Sequence, residues 1–409
     1  MRVCVIGAGI VGCASAYQLA RAGFDVQLLD AAPEPGTQTS FANGAQLSYS
    51  YVEPFASPGT LRSLPKMLWS ADSPVKFRLR ADWRQWAWGL SFLGACRRDT
   101  ALRGTATLLG LAQRSRQVLD GWMRDEHWSF SFAQNGKLVL CPDAATLQRQ
   151  RAQVEVQAAL GCRQELLSPD ECRAREPALG AALDGIAGGI WTADECVADP
   201  YLLCRELVAG LRRRGGRVSF DTAVDGFVRE GRRFTAARTT RGEIAADAFV
   251  LAAGPHAAAL ASGFGVHLPV YPVKGYSITL PFRGSARPAA SVTHLGRKTV
   301  FAPLGDRLRV AAMAEITGYD LAVPASRVQA MLDSVEAVYP GLCELDDPQA
   351  WAGLRPATPD SVPIIGPVPG SNMFINAGQG ALGLTLAAGS AQQLSDQLRQ
   401  RFARTDSRP

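Results

Sequence analysis

The sequence predicts an α/β protein whose first domain is a parallel sheet wound with helices. Three observations at the two ends of the chain carry that prediction. An apolar run, Val3-Cys4-Val5-Ile6, empties directly into Gly7-Ala8-Gly9-Ile10-Val11-Gly12. A helical stretch from Cys13 to Ala22 follows, Gly23 stops it, and a second apolar run from Val26 to Leu29 ends on the carboxylate of Asp30 and then Ala31. Near the other end, Met373-Phe374-Ile375-Asn376 reads as a strand. It leads into a second glycine-rich loop, Gly378-Gln379-Gly380-Ala381-Leu382-Gly383-Leu384-Thr385, with helix to about Leu398.

The N-terminal element is a complete βαβ unit, and each glycine has its own task. Gly7 makes the tight turn, Gly9 lets backbone approach a pyrophosphate, and Gly12 lets the helix pack close to the strand. The unpaired N–H groups of the helix start suit phosphate, and an acid at the position of Asp30 suits ribose hydroxyls. The unit therefore predicts dinucleotide binding. The C-terminal loop repeats the device of glycines at a helix N-terminus. Such a terminus carries about half a positive charge, which suits the anionic N1–C2=O locus of a reduced flavin.

Composition bounds the rest. With 409 residues, 47% hydrophobic and 20% charged, the chain has material for two cored domains. A motif beginning at residue 3, and no uncharged apolar run near the ~20 residues of a spanning helix, predict a cytoplasmic protein, held if at all at the cytoplasmic face of the inner membrane. Nine cysteines without a C-x-x-C pair and four histidines without ligand spacing predict no disulfide framework and no metal. A net charge of +6 is too mild to predict a nucleic-acid partner.

Between residues 60 and 98 the charge is concentrated. Arg62, Lys66, Lys76, Arg78, Arg80, Arg84, Arg97 and Arg98 stand against Asp72 and Asp82, with Trp69, Trp83, Trp86 and Trp88 among them. Trp83, Trp86 and Leu90 share one helical face. Two readings are open: a peripheral membrane contact, with rings at headgroup depth and cations on anionic lipid, or an amphipathic helix whose tryptophans fill a core.

Further along, Gly136 to Cys141 reads as a strand, Ala144 to Leu160 and Tyr201 to Arg214 as helices, and 217–220, 223–228 and 234–239 as strands. Asp247 to Ala252 is an apolar strand that ends in Ala253-Gly254, a second place for close backbone approach to a cofactor. No internal repeat or low-complexity linker marks a boundary.

Taken together, the N-terminal motif, Thr39-Ser40-Phe41-Ala42-Asn43-Gly44-Ala45-Gln46-Leu47-Ser48, Val273-Lys274-Gly275-Tyr276-Ser277, Gly353-Leu354-Arg355-Pro356 and the C-terminal loop resemble the FAD-dependent D-amino acid oxidase superfamily. Within it the chain is most similar to the bacterial D-amino acid dehydrogenases (small subunit). The resemblance implies a Rossmann-like FAD-binding domain assembled from 1–47, 196–267 and 351–409. It also implies a discontinuous second domain on a mixed β-sheet from 48–195 and 268–350, which binds substrate. Gly7 to Gly12, Asp30, Ala31, Ser40, Asn43 to Leu47, Val224, Ala253, Gly254, Gly378 and Gly380 to Thr385 would then hold FAD. No cysteine or histidine lies in 37–48 or 378–385, so the flavin is expected to be noncovalent.

By the same resemblance Arg355 holds the substrate carboxylate. A guanidinium suits that task because it is planar, bidentate and never deprotonated. Tyr276 is read either as a donor beside that carboxylate or as an ordinary strand tyrosine. Gln379 stands where many relatives carry histidine, which keeps a hydrogen-bonding group and removes a titratable one. Tyr49-Ser50-Tyr51, and Tyr51 above all, is read as an aromatic pocket wall favouring a proline-like or hydroxyproline-like D-amino acid. The expected activity is hydride transfer from Cα to flavin N5, giving a 2-oxo acid and ammonia, with electrons passed to a quinone or other respiratory acceptor. The alternatives are a peroxide-forming oxidase of the glycine or sarcosine type and a non-catalytic nucleotide-binding or membrane-scaffold protein.

Overall fold

The computed structural model describes residues 1–50, 52, 54–61, 75–78 and 80–406. Arg2–Ile6 forms β1, Ile10–Arg21 forms α1 and Asp25–Leu29 forms β2. β1 lies between β2 and Ala248–Leu251, parallel to both, with Val3 opposite Val26 and Ala248. The six-stranded sheet runs in the order Ile364–Pro367, Met373–Ala377, Ala248–Leu251, β1, β2, Arg217–Ser219, and only its first strand is antiparallel to its neighbour. Its central strands are apolar throughout because both faces are covered.

On one face Tyr17, Leu19, Leu108, Leu119, Leu207, Leu386 and Leu394 join α1 to the helices Arg98–Asp125, Pro200–Arg213 and Gly383–Asp406. On the other, a three-stranded antiparallel sheet brings Phe227 and Phe234 edge-on against Phe249 and Phe264.

Polar groups fix the helical face as well. Glu126 caps the helix Arg98–Asp125 and accepts from Tyr17 (2.9 Å), Arg213 (2.5 Å) and Arg214 (2.6 Å). Burial raises the Glu126 carboxyl, but these donors outweigh it and hold it below the usual carboxylate value. A depressed pKa means stability that is present at neutral pH and lost as pH falls through the folded-state value. Glu126→Gln should therefore lower the melting temperature near pH 7, and the difference from wild type should shrink progressively as pH falls below the ordinary glutamate value of ~4.3. Parallel melting curves across that range would exclude the effect.

The larger sheet has nine strands and is mixed, in the order Gln349–Ala357, Tyr271–Pro281, Arg307–Ile316, Thr299–Leu304, Ser291–His294, Lys137–Cys141, Gly188–Thr192, Glu165–Leu167, with Val75–Phe77 parallel to Arg307–Ile316. Strand alternation decides what its faces do. Along Tyr271–Pro281, Tyr276, Ile278 and Leu280 pack on Met331, Val335 and Val338 of the helix Ala325–Val338. Ser277 points the other way and donates to the Ala42 carbonyl, and Arg309 likewise donates to the Asn43 carbonyl at 3.0 Å. That second face closes over the nucleotide side.

Two elements sit differently from the boundaries drawn on the sequence. The strand Gln349–Ala357, expected with 351–409, pairs along its length with Tyr271–Pro281 and belongs to the larger sheet. The helix Arg98–Asp125, expected in the second domain, packs on α1 and the C-terminal helix instead. Its apolar stripe complements those helices, and a sequence period gives a stripe without saying which domain it faces. No helix among the described residues is long and apolar enough to cross a membrane.

Candidate active site

A cavity of about 1050 Å³ lies between the two sheets. One end is built by the βαβ unit. Gly7 has φ +105°, and a Cβ there would stand 2.5 Å from the Ala252 carbonyl oxygen. A Cβ on Gly12 would stand 1.7 Å from the Gly7 oxygen, so α1 crosses against the turn at a distance only glycine permits. No side chain caps α1 through Gly9 and no acid lies in its first turn, which leaves a positive helix end for phosphate. Ser40 accepts from the Ile10 N–H at 3.0 Å and ties the 40s loop to that end.

Asp30 accepts from Ala8 N–H and, at 2.7 Å, from Ala32 N–H. Burial raises its carboxyl above the usual value, while the two N–H groups and His256 oppose the rise. Burial also lowers His256 against the pull of Asp30. Ala31, Val224, Ala253 and Gly254 complete this end.

The other end is built where the sheets meet. Asn43, Gly44, Ala45, Gln46, Gly380, Ala381, Leu382, Gly383 and Leu384 line it, with Arg355 on the strand Gln349–Ala357. Opposite Gly275 the partner strand is irregular, since Lys274 faces Glu315 and Tyr276 faces Ala312. Such a bulge re-aims the backbone. Met313, within it, has φ +67°, and its carbonyl accepts from Arg355 Nη1 at 3.0 Å. Gly275 supplies the room, because a Cβ there would meet Arg355 Nη2 at 2.4 Å. Arg355 makes no ion pair among the described residues, so a guanidinium with an unmatched charge faces the cavity.

The remaining expected site residues separate. Gly12, Leu47, Gly378 and Thr385 do not line the cavity. Leu47 is fully buried in the core, and Thr385 takes the Ser48 N–H at 3.0 Å behind the wall. Gln379 lines the cavity and donates to Asn376 Oδ1 at 2.7 Å, and Asn376 donates in turn to Ser15 of α1 at 3.0 Å. Gln379 thereby couples the two glycine loops.

Tyr276 lines the cavity, and its hydroxyl donates to Glu315 at 2.8 Å. Tyr51 lies outside the described residues. Tyr49 is buried under Arg116 and off the cavity, which removes the described part of the proposed aromatic wall. No group of histidine, cysteine, aspartate or glutamate among the described residues is placed to hold a metal, and all nine cysteines are buried.

Sequence reasoning missed Lys137, which lines the cavity and whose ammonium donates to Ser48 Oγ at 2.9 Å. The available signal was a lysine opening an otherwise apolar strand, Lys137–Cys141. His256 was also missed as a wall residue, although it directly follows Ala253-Gly254-Pro255.

The cavity fits an extended dinucleotide. Where a Cβ would stand on Gly254 (φ +52°) or Gly380 (φ +56°) nothing lies within 4 Å, so both ends keep open space beside exposed backbone. A long cleft with a phosphate-binding helix end, a ribose acid and a second glycine loop defines an FAD-dependent oxidoreductase. The chain belongs to the family of FAD dependent oxidoreductases, whose profile matches residues 2–397. It is 44% identical to D-amino acid dehydrogenase 2 of Ralstonia nicotianae, over 98% of this chain and 97% of that one. It is 41% identical to D-amino acid dehydrogenase 2 of Pseudomonas aeruginosa, over 98% and 95%. Among solved structures, the fold is similar to L-proline dehydrogenase from P. horikoshii (TM-score 0.76, 19% identity, 98% and 93% covered). Glycine oxidase from Geobacillus kaustophilus is similar too (TM-score 0.77, 20% identity, 98% and 95% covered).

Proposed function

We propose that the chain dehydrogenates D-amino acids to imino acids, which water converts to 2-oxo acids and ammonia, and that it delivers the electrons to a quinone or another respiratory acceptor. The observation that carries this reading is Arg355, a guanidinium without an ionic partner among the described residues at the flavin end of the cavity. A zwitterionic substrate brings the missing carboxylate. The names of the relatives that match over nearly the whole chain support the substrate class.

FAD would be held by the βαβ unit, Asp30 and the Gly380–Leu384 loop, and when bound it supplies the two-electron acceptor. The chain's own contribution is placement. Arg355 fixes the carboxylate, the Met313 carbonyl fixes Arg355, and the apolar wall of Val300, Ala311 and Ala312 excludes water. His256 lies within electrostatic reach of Asp30 at the nucleotide end, away from Arg355. The test is anaerobic: D- and L-amino acids, including D-proline and cis-4-hydroxy-D-proline, are added to the purified yellow protein. Bleaching by D-isomers alone is expected, and bleaching only by secondary or N-methyl amines would overturn the substrate class. Peroxide formed in air at the rate of turnover would replace the respiratory acceptor with oxygen.

The membrane contact is part of the same proposal. The helix Trp83–Ala95 buries Trp88 and Phe92 against Tyr271 and Val273, and presents Trp83, Trp86, Leu90 and Leu93 outward at 63, 50, 70 and 45% exposure. Exposed Arg97, Arg98 and Arg103 follow it. The helix thus has an inner apolar face and a second, outer one beside basic residues, which suits an anionic lipid surface. The cavity wall includes Phe55, 42% exposed and 5.4 Å from the Phe92 ring, so the mouth opens beside this helix. Changing Trp83, Trp86, Leu90 and Leu93 to serine should weaken sedimentation with anionic vesicles by about tenfold and leave the melting temperature nearly unchanged. Equal vesicle binding by that variant would exclude the contact.

A further inference from the structure

The mechanism above makes no use of the one lysine sealed in the cavity wall. Lys137 is 4% exposed and is one of the residues that line the cavity. Its Nζ donates to Ser48 Oγ at 2.9 Å, and Ser48 N–H donates to Thr385 Oγ1 at 3.0 Å in the first turn of Gly383–Asp406. Two sources of positive potential, the ammonium and that helix N-terminus, therefore meet at Ser48. Burial lowers the amine to about 8, with Glu195 pulling the other way.

The sheet order separates Lys137 from Arg355. Arg355 lies on the first strand of the larger sheet and Lys137 on the sixth. Four strands lie between them, so the two side chains enter the cavity from well-separated parts of the sheet. The phosphate and ribose groups belong to the end built by Gly7–Gly12 and Asp30. What remains between Arg355 and Lys137 is the space for the flavin ring.

We propose that Lys137, steered by Ser48, is the electrostatic partner of the negative charge that the isoalloxazine gains on two-electron reduction. This rests on FAD occupying the cavity and not on the identity of the substrate. Field strength at a ring in a water-poor cavity is large, so one fixed cation shifts the reduction equilibrium markedly.

Sulfite tests this without any amino acid. Its lone pair forms a bond to N5 of the oxidised ring, nothing leaves, and the added negative charge settles on the ring. Stability of the adduct therefore reports positive potential there. The holoenzyme and its Lys137→Met, Lys137→Gln and Lys137→Arg forms are titrated with sulfite, and their midpoint potentials and KM values are measured. The neutral variants should bind sulfite at least ~10-fold more weakly and have a more negative potential, with KM for a D-amino acid within about threefold of wild type. Lys137→Arg should restore most of the sulfite affinity. Unchanged sulfite affinity in FAD-loaded Lys137→Met would overturn the proposal. So would a rise in KM alone, which would make Lys137 a substrate cation. Loss of FAD from both neutral variants would also overturn it, because Lys137 would then be a structural part of the wall.

Discussion

Arg355→Lys should raise KM for amino acid substrates strongly while the protein keeps its full complement of FAD. Lysine preserves the charge and loses the planar fork, so one of two charge-assisted hydrogen bonds to the carboxylate goes. At ~1.5–3 kcal/mol for a hydrogen bond to a charged group, the expected loss in kcat/KM is about 10- to 100-fold. Arg355→Met removes the cation altogether and should lose more, about 1000-fold, because a carboxylate would enter the cavity unpaired. Gly275→Ala makes a sharper companion, since it leaves the charge intact. The new Cβ would stand 2.4 Å from Arg355 Nη2 and must push the guanidinium off the Met313 carbonyl. Its KM should rise as well, with kcat falling because a misplaced carboxylate misplaces Cα. Steady-state kinetics beside the flavin absorbance per protein decide the matter. Wild-type kinetics in Arg355→Lys would remove Arg355 from the site.

How much of this was legible in the sequence depends on how local each feature is. Gly7, Gly9, Gly12 and Asp30 can be read because a turn, a helix start and a strand end are fixed by adjacent residues. The Gly378–Thr385 loop is legible for the same reason, although the sequence does not say that Gly380 faces the cavity while Gly378, with φ +90°, packs on Thr358. Lys137 belongs to the other kind. Its strand pairs in parallel with Ser291–His294, more than 150 positions along the chain, and only that pairing carries its amine to Ser48. The two readings of Tyr276 stayed open in the sequence because alternation places it on a face without naming the partner: Glu315, which takes its hydroxyl proton, lies opposite Lys274 in the register and not opposite Tyr276. The tryptophan helix was ambiguous for a physical reason. Its residues do follow a helical period, but Trp88 and Phe92 satisfy the inner face while Trp83, Trp86 and Leu90 form a second stripe, and periodicity alone does not rank the two.

The other large effect is expected at Gly12. An alanine Cβ at this position would lie 1.7 Å from the Gly7 carbonyl oxygen and 2.8 Å from its carbon, both backbone atoms that no rotamer change can clear. Either α1 moves away from β1 or the Gly7 turn opens. The first option breaks the packing of Cys13, Ala14, Tyr17 and their neighbours, which are buried at the centre of the nucleotide domain. The second moves the N–H groups that face the pyrophosphate. Overpacking of a rigid core costs ~1–3 kcal/mol and occasionally more, and a clash this close with a backbone carbonyl belongs at the upper end. Gly12→Ala should therefore purify with less than about a tenth of the wild-type FAD and melt at least ~5 °C lower. Gly9→Ala separates binding from folding, because its Cβ would meet only Ser40 Oγ at 3.5 Å, an ordinary contact. That variant should keep the wild-type melting temperature when measured without cofactor and lose FAD affinity, since the added methyl would stand where Gly9 backbone lets phosphate approach. Full FAD content in Gly12→Ala would mean that α1 can be displaced from the turn without moving its N–H groups, and the phosphate would then have to be held by other elements of the cavity.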